Sequence, residues 1–163
     1  MDRKALQIMT ILQKLKIVYK IYTHEQVFNM EQSAKLELPW QSLRCKNLFL
    51  RNKNGTNYYL VIMGHERRAN LKSIQMQLQT SSLSFASEEK LLQILGLTPG
   101  AVSPFGLIYD ETKMVDVVID DMLLNEQYLN FHPNINTATL ELSLCDFKKY
   151  LEWCKNEVRY IQI

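Results

Sequence analysis

Two β-rich runs, Leu43 to Arg51 and Tyr58 to Met63, are joined by Asn52-Lys53-Asn54-Gly55-Thr56, and Asn54-Gly55 is the dipeptide preferred in a tight hairpin turn. This hairpin commits the middle of the chain to an antiparallel pair. Other segments take their place around it by periodicity. Ala5, Ile8, Met9, Leu12 and Leu15 recur at helical spacing behind Asp2, a capping residue, so residues 3 to 16 form an amphipathic helix. Ile17 to Tyr22 is a short strand, followed by a turn at Thr23-His24-Glu25. Asn29 with Gln32 has capping-box spacing and opens a short helix to about Leu36, which Pro39 closes.

Leu71, Ile74 and Leu78 predict a helix from about Asn70, and Ser82 to Ala86 a strand. Ser87 caps a helix over Glu88 to Leu95, with Gly96 at its C-terminal cap. Gly106 to Tyr109, Met114 to Ile119, Tyr128 to Phe131 and Thr137 to Ser143 are expected strands. Asp146 caps a last helix to about Asn156, and Val158 to Ile163 alternates like a closing strand. Strands outnumber helices and follow one another in hairpin-like succession. The expected class is therefore α+β, with a mixed, mostly antiparallel sheet flanked by helices and one domain over residues 1–163.

Charge is unevenly spread along the chain. Residues 1 to 72 carry thirteen Lys or Arg against five Asp or Glu, whereas residues 73 to 163 carry six against twelve. A basic portion of that size attracts a polyanion if its charges also cluster in space. No apolar run approaches the length of a membrane span, and Met-Asp-Arg-Lys leads into an amphipathic pattern rather than a signal core, so a cytoplasmic protein is expected. Cys45, Cys145 and Cys154 lack paired metal spacing, and His24, His65 and His132 have no carboxylate or cysteine at ligand spacing. No metal and no cofactor is expected.

Residues 96 to 106, Gly-Leu-Thr-Pro-Gly-Ala-Val-Ser-Pro-Phe-Gly, hold three of the five glycines and two of the four prolines. Such a loop either connects a helix tightly to a strand or holds backbone N–H groups in a preset array. Ser103 lies in it but lacks the strand-to-helix context of a nucleophile elbow. Lys46 opens the run Asn47-Leu48-Phe49-Leu50, where alternation aims it to the side of Leu48 and Leu50. It either extends to water or meets a phosphate or a developing negative charge at a pocket mouth. Asn47 faces the other way unless the strand bends. His132 precedes Pro133, which biases it to an extended conformation, and Asn134 and Asn136 follow in a polar turn. His65, within Gly64-His65-Glu66-Arg67-Arg68, fits a solvated charged turn.

These segments occur in a characteristic order: Cys45-Lys46-Asn47-Leu48-Phe49-Leu50, Tyr58-Tyr59-Leu60-Val61, Phe85-Ala86-Ser87-Glu88-Glu89, the loop Gly96 to Gly106, Phe131-His132-Pro133, and Asn136-Thr137-Ala138-Thr139. Together they resemble the YbaK-like aminoacyl-tRNA deacylases, in the free-standing ProX-type branch that is similar to the editing domain of bacterial prolyl-tRNA synthetase. The resemblance runs from about His24 to the last helix. It implies a barrel-like sheet flanked by helices and hydrolysis of a wrong amino acid, alanine above all, from proline tRNA. It places the family's essential lysine on Lys46, its Gly-x-x-x-Pro loop on Gly100, Ala101, Val102, Ser103 and Pro104, its pocket histidine on His132, and polar site positions on Asn47 and Asn136. Tyr109, where relatives often carry asparagine, and Ser84, where a basic residue is common, depart from the pattern.

The implied chemistry suits the residues. An aminoacyl ester is already activated, so positioning a water and stabilising the oxyanion suffice without a protein nucleophile. Editing is needed because one methylene is worth only about 1–3 kcal/mol in a synthetic pocket. The expected partner is the acceptor end of tRNA, with prolyl-tRNA synthetase a further one, and the expected state is a monomer away from membranes. Two alternatives stand beside this: a deacylase for cysteine or another small amino acid, and a non-catalytic protein that senses an aminoacyl-tRNA or amino acid.

Overall fold

The computed structural model describes residues 1–29, 31–32, 35–37, 39 and 42–163. The hairpin forms as the sequence predicts: β2 (Leu43–Arg51) runs antiparallel to β3 (Tyr58–Gly64), with Lys46 opposite Met63 and Leu48 opposite Val61. Six further strands extend it, namely β1 (Tyr19–Thr23), β4 (Ser84–Phe85), β5 (Val115–Asp120), β6 (Tyr128–Phe131), β7 (Ala138–Ser143) and β8 (Val158–Ile161). Their order is β1-β7-β6-β2-β3-β5-β8, with β4 added on β2. Pairings β1–β7, β6–β7, β2–β3 and β2–β4 are antiparallel, while β2–β6, β3–β5 and β5–β8 are parallel. The class is mixed α+β, as expected.

β3 is buried along its whole length. Tyr58, Leu60 and Ile62 enter one apolar cluster, and Tyr59 and Val61 enter the other, which is why the run lacks the polar alternation of a half-exposed strand. The larger cluster is closed by Ile8 and Leu12 of α1 (Arg3–Lys14), by Leu91, Ile94 and Leu95 of α3 (Glu88–Leu95), and by Phe147, Tyr150 and Leu151 of α4 (Leu144–Cys154). The smaller one is closed by Ile74 and Leu78 of α2 (Leu71–Leu78). Helices thus flank the sheet on both faces. Among the described residues no helix is long and apolar enough to cross a membrane.

Caps explain the helix boundaries. Asp2 accepts from the Lys4 N–H, Asn70 from Ser73 and Ser87 from Lys90, and Gly96 ends α3 in the left-handed region. Two expectations need correction. Ser143, not Asp146, caps α4: its Oγ accepts from the Asp146 N–H, and Asp146 sits in the first turn where its charge favours the helix dipole. Gly106 to Tyr109 is not a strand but the end of a 3-10 helix over Pro104–Tyr109, which Ser103 caps by accepting from the Phe105 N–H. Pro104 at its first position presets φ for that turn. The short helix expected from Asn29 to about Leu36 lies partly outside the described residues; Asn29 does accept from the Gln32 N–H at 2.8 Å.

Candidate active site

β2 is the strand on which the site is built. Along the edge away from β3 it pairs with β6 only through Leu43 and Arg44, and with β4 only through Leu50 and Arg51. Between those stretches Cys45 to Leu48 has no strand partner on that edge among the described residues. A cavity of about 330 Å³ opens there, lined by Lys46, Asn47, Gly100, Val102, His132 and His65 together with Val27, Phe28 and Asn29. Because the edge is open, consecutive residues that project to opposite faces both reach the same space.

The Gly-rich loop forms the opposite wall and is fastened from behind. The Tyr150 hydroxyl donates to the Pro104 carbonyl at 2.9 Å, and the Asn134 amide donates to the Phe105 carbonyl at 3.1 Å. The Phe105 ring is buried between Phe131 and Tyr150. Gly100 has φ +85°, and a Cβ there would stand 3.3 Å from the Val27 carbonyl oxygen and 3.4 Å from Phe28 Cα. Only glycine lets the loop approach that segment in this conformation. The Ala101 N–H is used within the turn, donating to Thr98. The N–H groups of Gly100 and Val102 make no hydrogen bond among the described residues.

Facing the loop, the Asn47 amide donates to the Val102 carbonyl at 3.3 Å, which ties β2 to the loop, while its Oδ1 is buried without a hydrogen-bond partner among the described residues. The Lys46 ammonium forms no hydrogen bond or ion pair among the described residues, and partial burial lowers its pKa from the usual lysine value. His132 Nδ1 lies 2.9 Å from the Ala138 carbonyl oxygen. A carbonyl only accepts, so Nδ1 carries the proton and Nε2 the lone pair. Burial lowers the His132 pKa, with the Ala138 bond opposing and the neighbouring His24 adding to the shift, so the ring is neutral near pH 7. Burial also pushes the Cys45 thiol up to about 12, so it is no thiolate nucleophile.

The structure places the remaining predicted residues behind the cavity. Ala101, Ser103 and Pro104 are buried and shape the loop without lining it. Asn136 donates to the Val27 carbonyl at 3.3 Å and holds the Val27–Asn29 wall in place. Three contributors were missed in the sequence. Phe28, 61% exposed, stands at the mouth. His65 lines the cavity and is kept neutral first by burial, then by Arg44 and Lys46. His24, 108 positions before His132 in the chain, lies with its ring centroid 6.0 Å from that of His132 and its Nε2 2.9 Å from Thr139 Oγ1. Among the described residues no group of His, Cys, Asp and Glu could hold a metal ion. Tyr109 lies away from the cavity, against Gly96, and its hydroxyl donates to Gln7, tying the loop to α1.

One cavity thus brings together the Lys46 ammonium, the loop at Gly100 and Val102 and the His132 imidazole, a set of groups able to bind an anion and to polarise a carbonyl. Comparison with known proteins agrees. The aminoacyl-tRNA editing domain family matches residues 24–150, and the chain belongs to that family; it is an aminoacyl-tRNA deacylase. It is 38% identical to the prolyl-tRNA editing protein ProX of Acetoanaerobium sticklandii over the full length of both chains. It is 34% identical to the prolyl-tRNA synthetase associated domain-containing protein 1 of Mus musculus, over 82% of this chain and 80% of that one. The fold is shared with a crystal structure described as a candidate trans-editing enzyme for prolyl tRNA synthetase, with a TM-score of 0.73 at 15% identity over 100% of this chain and 99% of the other.

Proposed function

We propose that this deacylase edits proline tRNA in trans and that alanine is the amino acid it removes. The observation that carries the reading is that Lys46, Gly100, Val102 and His132 line one cavity, with the Gly100 and Val102 N–H groups making no hydrogen bond among the described residues. The name borne by a relative that matches this chain from end to end supports proline tRNA as the carrier.

In this reading the Lys46 ammonium holds the phosphate of the terminal adenosine, an anion the chain itself does not supply. The ester carbonyl oxygen lies against the Gly100 and Val102 N–H groups, which strengthen their hold as it becomes an oxyanion. His132 Nε2 accepts a proton from the attacking water. The water oxygen bonds to the carbonyl carbon, the bond from that carbon to the ribose oxygen breaks, and the ribose oxygen leaves as a hydroxyl by taking the proton back. Behind His132, a cavity of about 30 Å³ bounded by Asn47, Asn130 and Thr139 has room and polar partners for one water. The substrate's α-ammonium supplies the donor that buried Asn47 Oδ1 lacks. In this reading the apolar side chains of Val27 and Val102, which line the cavity, take up the methyl group of alanine, and the site acts as a second sieve.

The test is hydrolysis of alanyl, cysteinyl, seryl and prolyl esters on the same proline tRNA, with wild type and Lys46→Ala in parallel. Alanyl ester is hydrolysed fastest and prolyl ester is spared. Lys46→Ala loses at least about a hundredfold, in the range expected for a charge-stabilising group, with an unchanged melting temperature. Most of the activity surviving in Lys46→Ala refutes the mechanism, and preference for the cysteinyl ester refutes the substrate.

A further inference from the structure

A second cavity, of about 310 Å³, adjoins the first and shares His65 with it. It lies between the start of β2, the segment after β3, and the 3-10 helix Asp121–Asn125 that follows β5. Its charges are not equivalent. Arg67 is fixed in the wall, donating to the fully buried Asp120 at 2.6 Å and to the Ile163 carbonyl, and so is neutralised. Glu126 lines the same space, is half-buried, and its carboxylate makes no hydrogen bond or ion pair among the described residues. Arg44, whose guanidinium already donates to the Leu36 carbonyl, bounds the cavity on the β2 side, and Leu43, Met122 and Leu123 supply an apolar surface. A flat ring with both donors and acceptors on its edge matches such a space better than a phosphate would.

The position of the cavity limits what that ring can be. Arg44 and Lys46 lie two residues apart on one face of β2, about 6.6 Å along the strand, a separation on the order of one nucleotide step. Both act electrostatically on His65, the residue between the cavities. If Lys46 holds the phosphate on the 5′ side of the terminal adenosine, the chain of the ligand continues past Arg44 into the second cavity. Mature tRNAs end in cytidine, cytidine, adenosine.

We propose that the second cavity binds the penultimate nucleotide of the tRNA, a cytidine, with the Glu126 carboxylate accepting from its exocyclic amino group. The inference rests on reading the first cavity as the seat of the adenosine ester. Carboxylates accept from the cytosine amino group, whereas uracil presents a carbonyl at the same place and meets the carboxylate as acceptor against acceptor. The cavity therefore serves as a register gauge, since a strand that has slipped by one nucleotide places the wrong edge against Glu126.

The experiment compares kcat/KM on alanyl-tRNA for proline ending in C-C-A with the same tRNA ending in C-U-A, for wild type and Glu126→Ala. Wild type prefers the natural end by about tenfold, the lower end of single-base discrimination. Glu126→Ala brings the two substrates within about twofold of each other. A ratio near one in wild type overturns the proposal, and so does a ratio that Glu126→Ala leaves unchanged. If wild type hydrolyses neither ester, the reading of the first cavity fails by itself. Binding of the two uncharged tRNAs to wild type and Glu126→Ala then gives the same ratio and decides the second cavity independently.

Discussion

Gly100→Ala tests whether the loop conformation is itself the catalytic device. At φ +85° an L-residue costs about 1–2 kcal/mol relative to glycine, and the new Cβ stands 3.3 Å from the Val27 carbonyl oxygen, a contact relieved only by backbone moving on one side. For a chain of this length each kcal/mol corresponds to about 2–4 °C in melting temperature, so a fall of about 2–8 °C is expected by thermal unfolding. The same shift displaces the Gly100 and Val102 N–H groups by a few tenths of an ångström. Removing one oxyanion donor outright costs about 10²–10³ in rate, so displacement is expected to cost about tenfold to a hundredfold in single-turnover deacylation. Gly55→Ala is the control. Gly55 also has a positive φ, +64°, but sits in the hairpin turn, where its Cβ would meet only the flexible end of Arg51. It shares the backbone penalty and should lose stability while deacylating normally. If Gly100→Ala keeps its rate within twofold while melting lower, or if Gly55→Ala loses as much activity, the loop is only a connection and the argument fails.

Two further outcomes follow from the site. If His132 accepts the proton as proposed, it must be neutral, and burial holds its pKa below the ordinary value of about 6.5; the rate is then expected to be flat through neutral pH and to fall on the acid side, and His132→Gln to remove that limb from the pH profile. The same group affects stability: between the folded and unfolded pKa values the unfolded chain binds more protons, so the His132 contribution is complete above about pH 6.5 and is lost as pH falls through the folded value. Urea midpoints at pH 7.5 and 5.5 should differ less in His132→Gln than in wild type. Phe28→Ala removes an exposed ring at the mouth, where a base stack is worth about 1–3 kcal/mol; KM should rise at least fivefold with kcat and melting temperature little changed, and Phe28→Trp should restore KM.

Much of the fold was legible because local chemistry and global position agree. Leu43–Arg51 and the Asn54-Gly55 turn are required for the same pairing, and Ser87 and Gly96 mark the two ends of one helix. Legibility fails where an alternative local partner wins. Asp146 has the side chain of a cap, but Ser143 lies three residues earlier at the strand end and takes its N–H. Gly106 to Tyr109 has the apolar content of a strand, yet Ser103 and Pro104 before it start a 3-10 turn, and the close approach of Gly106 to Leu97 and the Leu95 carbonyl keeps that turn packed on α3. Parallel pairings such as β3 with β5 leave no local signal, because their partners are separated by two α-helices, a short strand, the loop and a 3-10 helix.

The site was half legible for a different reason. Lys46, Asn47, the loop and His132 follow from the sequence and the family resemblance, but period-two alternation sends Lys46 and Asn47 to opposite faces of β2 and so argues against a shared pocket. What reconciles them is the handover of one strand edge from β6 to β4, which leaves Cys45 to Leu48 without a strand partner on that edge among the described residues and turns an edge, rather than a face, toward the cavity. No window of sequence around Lys46 contains that handover, because it depends on where Leu129 and Phe85 come to rest. His65 and Glu126 were hidden by the same distance: each sits in a charged turn that looks solvated in isolation, and each acquires a possible ligand only when the turn after β3 and the turn after β5 close around the start of β2. The first cavity thus opens where β2 changes partners, and the second lies beside it between the start of β2 and the turns after β3 and β5, with His65 common to both.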